Sequence, residues 1–171
     1  MKLFLRQLIF ITGRKDFTDS FINELNDCLE KYEINNSLRI CHFLAQVCHE
    51  SLNFHYTEEL ASGAAYEGRS DLGNIYKGDG TRFKGRGYLM ITGRENYRKL
   101  SQDLDFNFVN KPDWLEKECY AISSAGWFWN KKGLNKFADN DWLKLITKRI
   151  NGGYNGLADR RRILLKCKEI L

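Results

Sequence analysis

Residues 41–60 have the sequence CHFLAQVCHESLNFHYTEEL, and this stretch decides the fold because it holds a long apolar helix and its end. The apolar face of this helix consists of Ile40, Phe43, Leu44 and Val47. Residues at this spacing lie on one side of an α-helix. Asn36 or Ser37 can cap the start, and the helix is expected to end near Glu50.

Apolar periodicity predicts further helices on both sides of this one. The segment from Phe21 to Tyr32 has helical spacing, and Thr18 or Asp19 can cap it. Beyond Pro112, a strongly apolar helix is expected to carry Trp114, Leu115, Ile122, Trp127 and Phe128. Two more helices are predicted, from about Asp141 to Ile150 and from Leu157 to Leu171.

A glycine-rich excursion, residues 61–86, separates the two halves of the chain and lacks helical periodicity. A loop of this length inside a compact domain is usually functional, and disorder is the alternative. Residues 83–91 have strand-like side chains and predict a small hairpin. Thr92 to Glu95 match a capping box, which predicts a helix through Leu100.

The composition is that of a single globular domain, with 171 residues of which 43% are hydrophobic and 29% charged. Lys and Arg number 27 against 22 Asp and Glu, which favours anionic partners such as nucleic acid, an anionic membrane or an acidic cell-wall polymer. The basic residues are scattered except at positions 160–162. This distribution does not indicate a nucleic-acid groove.

The N-terminal segment MKLFLRQLIFITGRK begins like a signal peptide, but Arg6 and Gln7 interrupt its apolar stretch and no small-residue cleavage site follows. The chain also lacks the roughly 20 consecutive apolar residues that a membrane-spanning helix needs. It is therefore expected to be a soluble cytoplasmic protein without stable membrane insertion.

The cysteines and histidines do not match a metal site. Five cysteines form no CxxC pair, so buried free thiols are expected rather than disulfides or a zinc knuckle. The HExxH zinc arrangement is missed because Asn53 stands where its second histidine would be. We therefore expect no metal and no cofactor.

Glu50 and Glu59 are candidates for the two acids that hydrolyse a glycosidic bond. This reaction needs one protonated carboxyl group for the leaving oxygen and one ionised carboxylate that activates water or attacks carbon. Glu50 follows an apolar helix face, where partial desolvation would favour its protonated form. Spacing alone favours solvated charges at a helix end and in a loop over a catalytic pair.

Three motifs make the interpretation specific. HES at 49–51, RFKGRGYLMITGRENY at 82–97 and NGGYNGLADR at 151–160 closely resemble motifs of the family 19 glycoside hydrolases, in the same order. These chitinase-like enzymes include many bacteriophage endolysins, and YEGRSDLGN and GDG resemble the small lysozyme-type members. The resemblance implies a mainly α, lysozyme-like domain with a small β-hairpin and a cleft. Residues 1–171 would form one catalytic domain without a separate cell-wall-binding domain.

The resemblance also implies a role for each residue that matches a motif. Glu50 would be the general acid. Glu59, nine positions later, is selected over Glu58 as the base. Thr92 would help to hold the attacking water, but it fits the N-cap of the next helix as well.

The same resemblance places Asn96 and Asn151 against the sugar and Arg160 near the acids. Asn151 could instead be part of a helix stop, and Arg160 could pair with a surface acid. Arg86, between two glycines, fits an ion-pair partner in the core. Where the family usually has a substrate-contacting glutamine, this chain has Met90, whose thioether cannot replace the amide.

The family's mechanism implies an inverting glycosidase. The compact length, the basic charge and the missing signal favour peptidoglycan glycan strands as the substrate, with chitin as the alternative. The chain would then be a monomeric endolysin that reaches the wall of the infected cell through a separate membrane lesion and causes lysis. Met90 leaves open an inactive glycan-binding module, and net charge alone leaves open a nucleic-acid binder.

Overall fold

The computed structural model describes residues 1–171, and the fold is mainly helical. The α-helices are α1 (Leu5–Thr12), α2 (Asp19–Lys31), α3 (Ser37–Glu50), α4 (Asp79–Arg82), α5 (Arg94–Asp103), α6 (Glu118–Lys131), α7 (Asn135–Ala138), α8 (Leu143–Asn151) and α9 (Leu157–Ile170). Three short 3₁₀ helices span Ala64–Tyr66, Ser70–Leu72 and Pro112–Glu116. No helix has both the length and the apolar character needed to cross a membrane.

Helix α3 forms the centre of the domain. It is buried continuously from Ile40 to Cys48, and it packs along α9. The Asn36 side chain accepts a hydrogen bond of 2.9 Å from the backbone N–H of Arg39 and so caps the helix start. The predicted cap, apolar face and end at Glu50 are all confirmed. Glu50 is therefore held at the edge of the core by a rigid element.

Helices α1 and α2, at the start of the chain, pack against helices from its second half. Helix α2 has the predicted Thr18 cap and packs against α6. Helix α1 was not predicted, although Leu8 and Ile11 are buried and the helix packs on α9. Its eight residues provide only two helical turns, which is too short for apolar periodicity to be recognised.

The predicted hairpin over residues 83–91 is reduced to isolated bridges, in which Arg86 pairs with Glu58 on one side and Ile91 on the other. The chain reverses tightly between them, with Met90 N–H donating to the carbonyl of Gly87 at 3.0 Å. A Cβ at Gly87 would lie 2.3 Å from Ser124 Oγ, so the reversal packs directly on α6.

The predicted capping box at residues 92–95 is wrong. Gly93 is the N-cap of α5, at φ 91°, and no side chain caps this helix. Thr92 Oγ1 instead donates to the carbonyl of Met90 at 2.9 Å. Gly93 is required because a Cβ there would lie 2.6 Å from the carbonyl oxygen of Leu72.

The glycine-rich excursion is folded, which excludes the disorder alternative. The carboxylate of Glu67 accepts the backbone N–H groups of Gly78 and Gly80, at 2.6 and 2.8 Å. Buried Asn74 accepts from the backbone of Arg94, and the Arg94 side chain pairs with Asp79. These long-range polar contacts replace an apolar core in this segment.

Three further expectations need correction. The helix expected to carry both Trp114 and Phe128 is broken at Lys117, so that Trp114 lies in the 3₁₀ turn and Phe128 in α6. The helix expected from Asp141 begins at Leu143. Four cysteines are buried as expected, whereas Cys119 is exposed.

Candidate active site

A tight turn after α3 connects the two predicted acids. Leu52, Asn53 and Phe54 all have positive φ, so the chain reverses direction directly after Glu50. The hydroxyl of Ser51 accepts the N–H of Phe54 at 2.9 Å. The Phe54 ring packs edge-on against Tyr88 with ring centroids 5.0 Å apart, which anchors the turn in the core.

Glu50 lies against a buried arginine from α9. Arg160 is 1% exposed, and its guanidinium donates to Glu50 Oε1 and, at 2.5 Å, to Gln46 Oε1. Its Nε donates to the carbonyl of Asn155 at 3.3 Å. The alternative that Arg160 pairs with a surface acid is therefore wrong. The Glu50 side chain is 22% exposed, so its other face is open to solvent or a ligand.

This arrangement also corrects the expected environment of Glu50. The apolar helix face was expected to surround Glu50, but the guanidinium of Arg160 is in direct contact with its carboxyl group. The contact fixes one carboxyl oxygen in place. Glu50 is thus oriented by its contact with Arg160.

A second contact between α3 and α9 runs parallel to the first. His49 Nδ1 and Asp159 Oδ2 are 2.7 Å apart. Burial opposes ionisation of Asp159, but hydrogen bonds from His49 and Arg162 outweigh it and lower the pKa of this carboxyl group. A Cβ at Gly156 would lie 2.0 Å from His49 Nε2, so the imidazole also packs against the backbone that precedes α9.

Glu59 is held by the glycine-rich excursion. Its Oε1 accepts the backbone N–H of Gly85 at 2.7 Å, and its Oε2 accepts the Tyr66 hydroxyl at 2.9 Å. Burial and the adjacent carboxylate raise the pKa of Tyr66, which keeps the phenol as the donor. Each carboxylate oxygen therefore has one neutral donor.

Thr92 and Asn96 lie with Glu59. A Cβ at Gly85 would be 3.3 Å from both Glu59 Cδ and Thr92 Oγ1, so the two side chains flank this glycine. The Thr92 hydroxyl donates its hydrogen bond to the carbonyl oxygen of Met90. Its own oxygen lone pairs are therefore left to accept a hydrogen bond from a water molecule. The Asn96 amide donates to the Thr92 carbonyl at 2.7 Å.

The neighbouring Glu58 has a different environment. It pairs with Lys84 and with Arg86, each at 3.0 Å. Arg86 also pairs with Glu116 at 2.9 Å and contacts the Tyr97 hydroxyl at 3.2 Å, which confirms it as a core ion-pair partner. Glu58 is thus committed to two cations, whereas Glu59 accepts only neutral donors.

Asn151 is the most loosely connected of the predicted residues. It is the exposed last residue of α8, and its amide lies 3.5 Å from the carbonyl of Asn155. The same carbonyl accepts from Arg160, so Asn151 is joined to the Glu50 side of the site. Met90 is half-buried at φ 50°, and its carbonyl accepts from Thr92.

The structure therefore brings the predicted residues into two groups. The Glu50 group contains Glu50, Arg160 and Asn151, and the Glu59 group contains Glu59, Thr92 and Asn96. Gln46 and Tyr66 also belong to the site, and neither was predicted from the sequence. A glutamine within the apolar run of α3 was a visible signal, whereas nothing marked a tyrosine in a segment without periodicity.

No family model matches the sequence. A glycosyl hydrolase family 19 domain-containing protein of Haemophilus influenzae is 30% identical over 105 residues, which cover 61% of this chain and 50% of that protein. An endochitinase of Arabidopsis thaliana is 33% identical over 115 residues, 67% of this chain and 39% of its own length. The relatives of this chain are family 19 glycoside hydrolases.

Solved structures of chitinases share the fold of this chain. Chitinase C from Streptomyces griseus superposes with a TM-score of 0.75 at 18% identity, covering 98% of this chain and 75% of that one. The family 19, class IV chitinase from Zea mays superposes with a TM-score of 0.71 at 20% identity, covering 95% of this chain and 87% of that one. The resemblance and the helical, chitinase-like fold class are thereby confirmed. The chain spans half or less of the two curated relatives described above.

Proposed function

We propose that this protein is an inverting glycoside hydrolase that cleaves β-1,4 bonds in a glycan containing N-acetylglucosamine. The observation that carries the proposal is the contrast between two carboxyl groups. Glu50 contacts a guanidinium and has one open face, whereas both oxygens of Glu59 accept neutral donors. The two acids thus lie in unlike environments, and the family resemblance assigns the acid role to Glu50 and the base role to Glu59.

In the proposed mechanism Glu50 is the general acid. The arginine contact engages Oε1 and leaves Oε2 to carry the proton that is delivered to the leaving oxygen. Arg160 then stabilises the carboxylate that remains. Its own position is fixed by Gln46 and by the carbonyl of Asn155.

Glu59 is the proposed general base. Gly85 and Tyr66 hold its carboxylate, and the Thr92 oxygen beside it can accept a hydrogen bond from the attacking water. Inversion needs the two carboxyl groups roughly 6.5–9.5 Å apart, with the water between Glu59 and the sugar. The anchored turn at residues 51–56 would maintain such a separation.

We further propose peptidoglycan as the substrate. The net positive charge favours an acidic wall polymer over neutral chitin. The protein would act as a monomeric endolysin that accumulates in the infected cytoplasm and reaches the wall through a separately made membrane lesion. Asn96 and Asn151 would bind the sugar chain from the Glu59 side and the Glu50 side, respectively.

Chitin hydrolysis is the second candidate function. It is favoured by the curated relatives from Arabidopsis thaliana and Zea mays, which are named endochitinases. Mass spectrometry of the products from purified peptidoglycan and from chitin would distinguish the two. Muropeptides with new reducing ends support the endolysin, and chitooligosaccharides alone support the chitinase.

The Glu50→Gln variant tests the catalytic proposal. Glutamine is nearly isosteric but cannot donate the proton, so hydrolysis should fall by about 10²–10⁴-fold while the fold is kept. Reducing-end release from purified walls measures the effect. Wild-type activity in this variant would contradict the role of Glu50.

A further inference from the structure

A cavity of 370 Å³ opens between α5 and the C-terminal half of α6, next to the Glu59 group. Its lining residues are Asn96, Lys99, Trp127, Phe128, Lys131 and Lys132. Asn96 connects this cavity to the Glu59 group, because its amide donates to the Thr92 carbonyl. We call this cavity the lysine pocket, since three of its six lining residues are lysines and none is acidic.

The sequence spacing explains how the lysines converge. Asn96 and Lys99 are three residues apart in α5, so they share one helix face. At the end of α6 the two aromatic lining residues are each followed four positions later by a lysine. These pairs are Trp127 with Lys131 and Phe128 with Lys132. The pocket is thus lined by two aromatic side chains and three lysines.

The charge of one lysine, Lys131, is balanced by a neighbouring carboxylate. Asp103 pairs with Lys131 at 3.0 Å and accepts the indole N–H of Trp127 at 2.6 Å. These two hydrogen bonds lower the pKa of Asp103, so it is ionised near neutral pH. The same contact holds the Trp127 ring in place, with only 4% of that residue exposed.

Nearby carboxylates balance the other two lysines less closely. Glu95 is 3.4 Å from Lys99, but it is engaged more closely by Arg98 at 2.8 Å. Lys132 forms no ion pair, and its Nζ lies 5.4 Å from the Phe128 ring centroid. The surroundings of the pocket hold four cationic side chains and two carboxylates, which leaves a net charge of about +2.

We propose that the lysine pocket binds a carboxylate carried by the glycan, and thereby recognises an acidic, peptide-substituted sugar chain. This inference rests on the proposed function and specifies its substrate class. Peptidoglycan strands carry carboxylates on their stem peptides, whereas chitin is neutral. A sugar held at Asn96 would present such a substituent to Lys99 and Lys132, and apolar parts of the peptide would cover the Phe128 ring.

The test measures binding without turnover. The full chain carrying Glu50→Gln is titrated with soluble, uncross-linked peptidoglycan strands that carry stem peptides, and with the same strands after amidation of their carboxylates. The pocket variant adds Lys99→Gln, Lys131→Gln and Lys132→Gln. The matched control adds Lys2→Gln, Lys15→Gln and Lys148→Gln, which remove the same charge from exposed lysines outside the pocket.

The background protein should bind native strands about tenfold more tightly than amidated strands. This ratio should fall to about one in the pocket variant, persist in the control, and decrease with added salt. A ratio of one in the background protein, or an equal fall in both variants, would overturn the proposal. Failure of the proposed function is separate, because it would be seen as wild-type protein that releases no reducing ends.

Discussion

The Glu50 group and the Glu59 group are built in different ways. Glu50 is positioned by a buried guanidinium that bridges two long helices, and the contacting residues are more than 100 positions apart in sequence. Glu59 is positioned by a backbone N–H and a phenol from the glycine-rich excursion, which has only short helical turns, and these donors lie within 26 positions of it in sequence. The first group depends on helix packing and the second on a folded loop.

This difference predicts how mutations in each group should affect stability and activity. A change in the helix contact should reduce stability and activity together, because Arg160 serves the core and Glu50 at once. A change in the loop should affect Glu59 with a smaller loss of stability, because the excursion contributes few apolar contacts to the core.

Arg160→Ala should have the largest effect on stability. It leaves Gln46 and Glu50 without their donor, and breaking a buried charged contact costs about 3 kcal/mol. Denaturant unfolding measures the loss, and hydrolysis should fall as well. Arg161→Ala removes an exposed neighbouring arginine and should change stability by less than about 0.5 kcal/mol. Equal effects of the two variants would contradict the role of Arg160.

Gly80→Ala should disrupt the excursion. The added Cβ would lie 2.5 Å from the backbone nitrogen of Glu67 and 2.8 Å from the carbonyl oxygen of Gly63, and neither can move independently. The expected cost is about 1–3 kcal/mol, with loss of hydrolysis. Gly153→Ala, where nothing lies within 4 Å, is the matched control. An active Gly80→Ala enzyme would mean that Glu59 does not depend on the excursion.

Tyr66→Phe should have the smallest effect of the three. It removes one donor to Glu59, which is worth about 1 kcal/mol, so the rate of hydrolysis should fall about fivefold. Tyr56 has an exposed side chain and no hydrogen bond from its hydroxyl, so Tyr56→Phe is the control. The measurement is kcat on purified walls. If Tyr66→Phe left kcat unchanged, Gly85 alone would be sufficient to hold Glu59.

The sequence predicted the elements whose apolar pattern is long enough to be unambiguous. Helices α2 and α3 lie where the periodicity and the caps at Thr18 and Asn36 placed them. Helix α1 was missed because its buried positions are too few to form a pattern. The capping box was wrong because Gly93 must approach Leu72 closely, a tertiary constraint that no local motif reveals.

The candidate site was predictable only where a motif marked it. Glu50, Thr92 and Arg160 stand in segments that resemble family motifs. Tyr66 and Gln46 were missed because their roles come from contacts that depend on the folded chain, with Glu59 and Arg160 respectively. Sequence spacing also gave no reason, apart from the resemblance, to separate Glu59 from Glu58, whose environments differ only after folding.

The central claim is that Glu59 and not Glu58 is the base that acts with Glu50. The direct measurement is the rate of reducing-end release from purified peptidoglycan by Glu59→Gln and by Glu58→Gln, with thermal unfolding of both. Glu59→Gln should lose about 10²–10⁴-fold in rate and keep its fold. Glu58→Gln should keep activity within about tenfold and lose stability through its contacts with Lys84 and Arg86. An active Glu59→Gln variant beside an inactive, folded Glu58→Gln variant would contradict the account.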